Sequence, residues 1–364
     1  MKPRQNRRGF LLSGLDKENY MGQAISKLTI KGFKSIRNLE NFELRNLNIL
    51  IGPNGGGKSN FVSFFEFLQA IAKEKGLPNF YVERKGGAER FLYLGSKVTQ
   101  SIKIELIMNS LPEYTKELSV TLNDKFSAST RTITGGWDHA DLEIQDFEKS
   151  FSGFIAYHFH DTSDFAALKR ACSKRDYEYL RPDAGNLAAF LLRLKKKHQK
   201  EYRSISDVIQ LAAPFFDDFL LREEEDKDEV LLEWRQKGSD YPFHPSQISD
   251  GTLRFICLAT ALLQPSPPST ILLDEPELGL HPYALTLLAG LIQKASIKTQ
   301  VIIATQSASL ISQFDPADII VVERKNKESV FRRLPLEKLK QWIDDYSLGE
   351  LWEMNLLEGR PKNE

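Results

Sequence analysis

An α/β fold, its core split around an inserted α+β lobe, is predicted by three observations. Leu47-Asn48-Ile49-Leu50-Ile51 is a short apolar strand signal, followed at once by Gly52-Pro53-Asn54-Gly55-Gly56-Gly57-Lys58-Ser59 and the helical run Asn60 to Leu68. A second apolar run, Thr270 to Leu273, ends in Asp274-Glu275. From Ile248 onward helix and strand signals alternate, the pattern of a parallel sheet covered by helices.

The first of these names a ligand. Glycines at 52, 55, 56 and 57 let backbone N–H groups crowd around a polyphosphate where side chains would block the approach. The helix that follows adds its partial positive charge. In such a strand–loop–helix context Lys58 reaches the β- and γ-phosphates and the Ser59 hydroxyl ligates Mg²⁺. Gly52 to Ser59, with Asn60 beside them, are therefore the expected ATP-binding residues. The second run delivers Asp274 to the Mg²⁺ shell and Glu275 to the attacking water, as expected of a buried parallel strand ending in two acids.

A third element narrows the class. Ser249-Asp250-Gly251 opens the helical run Leu253 to Leu263, about two dozen residues before Asp274, with Pro265, Pro267 and Pro268 between them. A Ser-x-Gly turn at a helix start offers a hydroxyl, backbone donors and a dipole to an anion, although alone it is also an ordinary helix cap. In this position it resembles the signature loop of ABC-type ATPases, which ring-forming AAA+ motors lack there.

Together "GPNGGGKSN", "YHFHDTSD", "LRPDAGNLAAFLLRLK", "APFFDDFLL", "SDGTLRFICLATALLQP", "LLDEPELGLHPYAL", "TQVIIATQS" and "DYSLGELWEMNLLEGRP" resemble one family. It is the stand-alone ATPases of the RecF/SMC-like branch of the ABC class, the AAA_21/AAA_15-type AAA-family ATPases. The resemblance runs from about Ile25 to Pro361. It implies ATP binding and hydrolysis by a dimer, frequently beside DNA or in anti-phage and toxin-like operons with a nuclease partner.

In chain order, residues 1–22 form an extension bearing Lys2, Arg4, Arg7 and Arg8 without apolar periodicity. It is either a basic disordered arm or a segment upstream of a true start at Met21. Residues 23–72 hold the first part of the core, with strand alternation over Ser26 to Ile36 and Asn41 to Leu44 before the phosphate loop. Residues 73–245 are read as the insertion. It has strands over Ile102 to Met108, Leu118 to Leu122 and Thr130 to Ile133, turns at Leu111-Pro112 and Gly135-Gly136, and a helix over Asn186 to Lys200 with a basic end. A hairpin of Phe219 to Arg222 with Val230 to Arg235 is tipped by the acidic run Glu223 to Glu229. Residues 246–364 resume the core.

Composition excludes several classes. Lys and Arg (49) balance Asp and Glu (49), so no global field draws the chain to nucleic acid or membrane, and DNA contact requires a local patch. No run approaches the ~20 apolar residues of a membrane span, and no leader is visible, so the expected location is cytoplasmic. Cys172 and Cys257 have no metal spacing, and Cys257 lies in an apolar helical run. The interval between phosphate loop and signature lacks the sustained heptads of chromosome-structuring relatives. The roughly sixty residues after Thr305 are too few for an appended Toprim nuclease domain, so any nuclease chemistry is expected on a separate effector protein.

Four groups of residues carry weaker signals. His158, His160 and Asp161 put two imidazoles and a carboxylate at a strand end, which suits either a hydrogen-bonding role or a metal. In the related ATPases a polar residue near this place touches the metal or water. Arg193, Lys195, Lys196, Lys197, His198 and Lys200 form a basic cluster, read as a solvated helix end or a phosphate contact. Gln306, after the strand Val301 to Thr305, stands where ABC ATPases carry a switch histidine. A neutral amide hydrogen-bonds but shuttles no proton, so hydrolysis is expected to be slow. His281 is expected in a loop facing the other subunit. The resulting expectation is a Mg²⁺-dependent ATPase whose ATP-driven homodimer, or higher even oligomer, controls an effector protein or DNA, in a setting of anti-phage defence. The alternatives are a RecF-like DNA-binding repair ATPase and a slow-hydrolysing ATP-bound scaffold or sensor.

Overall fold

The computed structural model describes residues 24–74, 78–108, 114–122, 126–134, 137–138, 153–223, 228–343 and 345–357. The N-terminal extension, the turns at Leu111-Pro112 and Gly135-Gly136, and residues 224–227 of the acidic run lie outside them.

Two six-stranded sheets organise the chain. The first is antiparallel, in the order β2(Ile36–Glu43), β1(Ile25–Phe33), β4(Ser101–Met108), β5(Tyr114–Leu122), β6(Phe126–Thr134) and β7(Trp137–Asp138). The second runs β16(Glu328–Arg333), β15(Ile319–Lys325), β3(Leu47–Ile51), β14(Gln300–Thr305), β13(Thr270–Asp274), β8(Phe154–Tyr157). It is parallel except for β16, which closes a hairpin on β15. Helix α1(Lys58–Lys73) lies between the sheets and is buried over most of its surface, apart from a stripe through Ser59, Ser63, Glu66, Gln69 and Lys73, which explains its aromatic content. Phe61, Phe64, Phe65 and Phe67 are each at most 1 % exposed. Phe33 of β1 meets Phe64 and Phe67 with ring centroids 5.5 Å away in each case.

Side-chain alternation along β3 serves two cores at once. Leu50 joins the aromatic core around α1, whereas Leu47, Ile49 and Ile51 face a second core. That second core holds α3(Leu187–Lys197), α4(Gln199–Ala212), α5(Asp250–Leu263), α6(Pro282–Ser296) and α7(Ala308–Ile311). The short helices α2(Asn79–Arg84), α8(Leu336–Ile343) and α9(Leu348–Glu353) complete the order. No helix among the described residues is long and apolar enough to cross a membrane.

Three expectations change on folding. The interval 73–245 is woven into both sheets: β4 pairs with β1 and β8 pairs with β13, because each supplies an apolar face that the neighbouring strand needs. The helix expected over Asn186 to Lys200 ends at Lys197, and after His198 a second helix begins. Its basic end is partly engaged: Lys195 donates to Asp218 at 2.9 Å, and Arg193 donates to the Tyr177 and Glu178 carbonyls. The strand expected over Val230 to Arg235 is two strands. β11(Glu229–Val230) pairs with β9(Cys172–Ser173), and β12(Glu233–Gln236) pairs with β10(Phe216–Leu220).

Phe33→Ala is expected to lower unfolding free energy by about 3–5 kcal/mol, the usual loss for a buried aromatic. Denaturant titration checks this; a loss under ~1 kcal/mol would mean that the aromatic layer does not hold the two sheets together.

Candidate functional site

The phosphate loop is shaped from behind by the β15–β16 hairpin. A Cβ on Gly52 would lie 2.0 Å from the Val322 carbonyl oxygen, and one on Gly57 would lie 2.0 Å from Ser329 Oγ. Ser329 Oγ donates to the Gly56 carbonyl and also meets Ser35 Oγ, each at 2.7 Å. Gly55 and Gly57 have φ of +77° and +116°, the left-handed region that glycine enters without strain. Asn60, one turn on, donates to Ser35 Oγ at 2.7 Å.

Lys58 is 5 % exposed, and its Nζ donates to the Gly52 and Pro53 carbonyls at 2.7 and 3.1 Å. Burial lowers its pKa, while Glu275, Asp274 and Glu277 oppose that shift. These acids arrive from β13 and the loop after it. Parallel pairing sets Asp274 opposite Ala304 of β14, and Ala304 opposite Leu50 of β3.

Asp274 fits a hard cation. Its carboxyl is raised by burial and by Glu275, and lowered by a hydrogen bond from Ser59. Oδ1 of Asp274 is shielded from solvent and has no hydrogen-bond partner. A buried carboxylate oxygen left open beside a serine hydroxyl suits Mg²⁺, which takes few protein ligands and keeps waters and substrate phosphates.

Glu275 follows at φ +45°, an unfavourable backbone state for a side-chain-bearing residue. Its N–H donates to the Ala304 carbonyl at 2.8 Å, and its Oε1 accepts from Gln306 Nε2 at 2.6 Å. Gln306 therefore touches the expected water-activating group directly. Glu277, absent from the sequence reading, holds the same corner. Its Oε1 accepts from Thr305 Oγ1 at 2.6 Å and from the Gln306 N–H at 3.1 Å, and its Oε2 is buried without a partner. The only trace of it in the sequence is its place two residues after Glu275.

Ser249 caps α5: its Oγ accepts from the Thr252 N–H at 3.2 Å and meets Thr252 Oγ1 at 2.8 Å. A Cβ on Gly251 would lie 2.2 Å from the Gly279 carbonyl, so the signature turn packs against the loop after Glu275. Arg254 fastens this contact, donating to the carbonyls of Phe159 at 3.0 Å, His160 at 3.2 Å and Leu278. No sequence pattern marked Arg254 or Ser329, because each acts on residues distant in the chain. Ser249, Asp250 and Gly251 are not joined to Lys58 and Glu275 by any hydrogen bond or ion pair shown among the described residues.

His158, His160 and Asp161 do not converge on one ligand. His158 Nε2 bonds Glu66 of α1, Asp161 accepts from the Ser163 N–H and hydroxyl, and both histidines act on Asp274 through their field. Burial alone would raise the Glu66 carboxyl. Hydrogen bonds from His158 and Tyr81, with the fields of His158 and Lys85, pull it down to about 2. His281 caps α6, accepting from the Tyr283 N–H at 3.3 Å.

Among solved structures, the fold is similar to that of SMC heads. The SMC head bound to the C-winged helix domain of ScpA superposes with a TM-score of 0.63 at 20% identity, covering 87% of this chain and 99% of that one. The Smc head with an extended coiled coil, bound to the C-terminal domain of ScpA derived from Pyrococcus furiosus, gives 0.60 at 19% identity, covering 88% and 98%. At these identities the likeness is one of fold. No curated protein matches the chain significantly. A family model described as "AAA domain, putative AbiEii toxin, Type IV TA system" (AAA_21) matches residues 47–312. The chain thus belongs to the AAA_21 family of AAA-domain proteins.

Proposed function

We propose that this ATPase works as an ATP-driven homodimer, or a higher even assembly, whose nucleotide state controls a separate effector protein in the cytoplasm, in anti-phage defence. The observation that carries the reading is incompleteness. Lys58, Ser59, Asp274, Glu275 and Gln306 gather at the strand ends, whereas the turn at Ser249-Asp250-Gly251 presents an anion-binding helix start that its own loop does not use. A second subunit supplies the missing half of each site. The family's description as a toxin of a toxin–antitoxin type supports an effector setting.

Gly52 to Gly57 and Asn60 line the bed for the triphosphate, and Lys58 carries the cation to it. Ser59 and Asp274 would hold Mg²⁺, which supplies charge neutralisation on the phosphate oxygens. Glu275 accepts the proton of the attacking water, and the Gln306 amide orients that carboxylate. Gln306 is uncharged and carries no proton, so turnover is slow.

DNA contact is a second reading, favoured by one feature. A groove of about 600 Å³ beside the phosphate loop gathers Lys34, Lys85, Arg90, Arg324 and Lys327 against the carboxylate of Glu89. DNA affinity that falls steeply with salt, and less steeply in Arg324→Ala/Lys327→Ala, would support it.

Lys58→Ala is expected to weaken ATP binding by about 10- to 100-fold, the value of one charge-assisted contact. Equal calorimetric affinity in variant and wild type would contradict the assignment. Glu275→Gln is expected to keep ATP affinity while phosphate release drops by ~10²–10⁴-fold. Gln306→Ala should slow turnover by roughly tenfold, and Gln306→His should shift it severalfold, with ATP affinity unchanged in both. Turnover insensitive to both changes would mean that the amide does not orient Glu275.

A further inference from the structure

The signature turn has a charge problem. Asp250 opens α5 with a largely exposed side chain, 65% accessible. A triphosphate brought to Ser249 and Gly251 would meet a like charge there. The helix start offers only about half an elementary charge against it.

A buried cation stands behind the turn. Lys169 is 7 % exposed, and its Nζ lies 3.8 Å from Asp250 Oδ1 and 3.9 Å from Asp164 Oδ1. Lysine is almost never buried without such partners. Both distances exceed a hydrogen bond, so the ammonium is shared between two carboxylates rather than locked to either. Its place is held by the turn Ala167–Lys169, where the Lys169 N–H donates to the Ala166 carbonyl at 3.0 Å. A Cβ on Gly185 would lie 3.0 Å from Ala167 Cβ, so the chain packs closely behind this turn. The signature helix's own cation, Arg254, is already engaged with three carbonyls.

We propose that Lys169 is a positioning residue whose buried ammonium neutralises Asp250, so that an acidic signature turn accepts the γ-phosphate held by a partner subunit. This rests on the shared-site reading above. Lys169 comes from the same segment as His158 and His160, which act on Asp274.

The test uses the full chain in a Glu275→Gln background, where ATP is retained. ATP-dependent dimerisation is measured by sedimentation and ATP affinity of the monomer by calorimetry. Lys169→Met is expected to weaken the dimer by about tenfold or more, the worth of one charged contact, with monomer affinity unchanged. Lys169→Arg retains the dimer, and Lys169→Met/Asp250→Asn restores it to within about threefold of the parent, since no carboxylate then needs a counter-charge. Lys169→Met without effect, or a folded Lys169→Met that Asp250→Asn does not rescue, overturns the proposal. Should Lys169→Met fail to fold, Asp250→Asn alone decides: a dimer at least as tight as the parent supports neutralisation, and a weaker one overturns it. Ser249→Arg separates the two levels. If it leaves the ATP-dependent dimer intact, the shared site itself falls, and the role of Lys169 falls with it.

Discussion

Parallel pairing of β3, β14 and β13 in a single register is the constraint on which the site depends. It sets Leu50, Ala304 and Asp274 side by side, so that the loops leaving the three strands begin at one level. Ser59 then reaches Asp274, and Gln306 reaches Glu275. A slip of one residue, ~3.3 Å along a strand, would break both contacts and turn each strand's side chains to the opposite core. Burial on both faces of the sheet makes that slip costly, because Leu50 and Ile51 of the same strand belong to different cores.

Around this level the chain accumulates features that are unfavourable without a ligand. Glu275 holds a left-handed backbone, Asp274 Oδ1 and Glu277 Oε2 are buried without partners, and Lys58 is buried against backbone carbonyls. A triphosphate with a divalent cation, as proposed for this site, would relieve several of these together: the cation would satisfy a carboxylate, and the phosphates would engage the ammonium. The β15–β16 hairpin shapes the loop by occupying the space behind Gly52 and Gly57.

Legibility in the sequence followed the range of the interaction. The phosphate loop, the acid pair after the Thr270 strand and the Ser249 turn are local patterns, and each lies on the expected element. Glu277, Arg254, Ser329 and Lys169 left no such mark, because their partners are far away in the chain. Arg254 meets Phe159, Ser329 meets Gly56, and Lys169 meets Asp250. The break at His198 and the division of residues 229–236 between two partners were hidden for the same reason: apolar periodicity reports burial, not the neighbour that provides it.

The shared site is the central claim, and subunit mixing tests it most directly. Ser249→Arg and Lys58→Ala are each expected to be inactive for opposite reasons, one lacking the signature and the other the phosphate cation. Combined after subunit exchange, they are expected to regain up to about half of the wild-type hydrolysis, because each heterodimer holds one intact composite site. No recovery from folded, exchanging variants would contradict the shared site and show that each subunit hydrolyses ATP by itself or not at all.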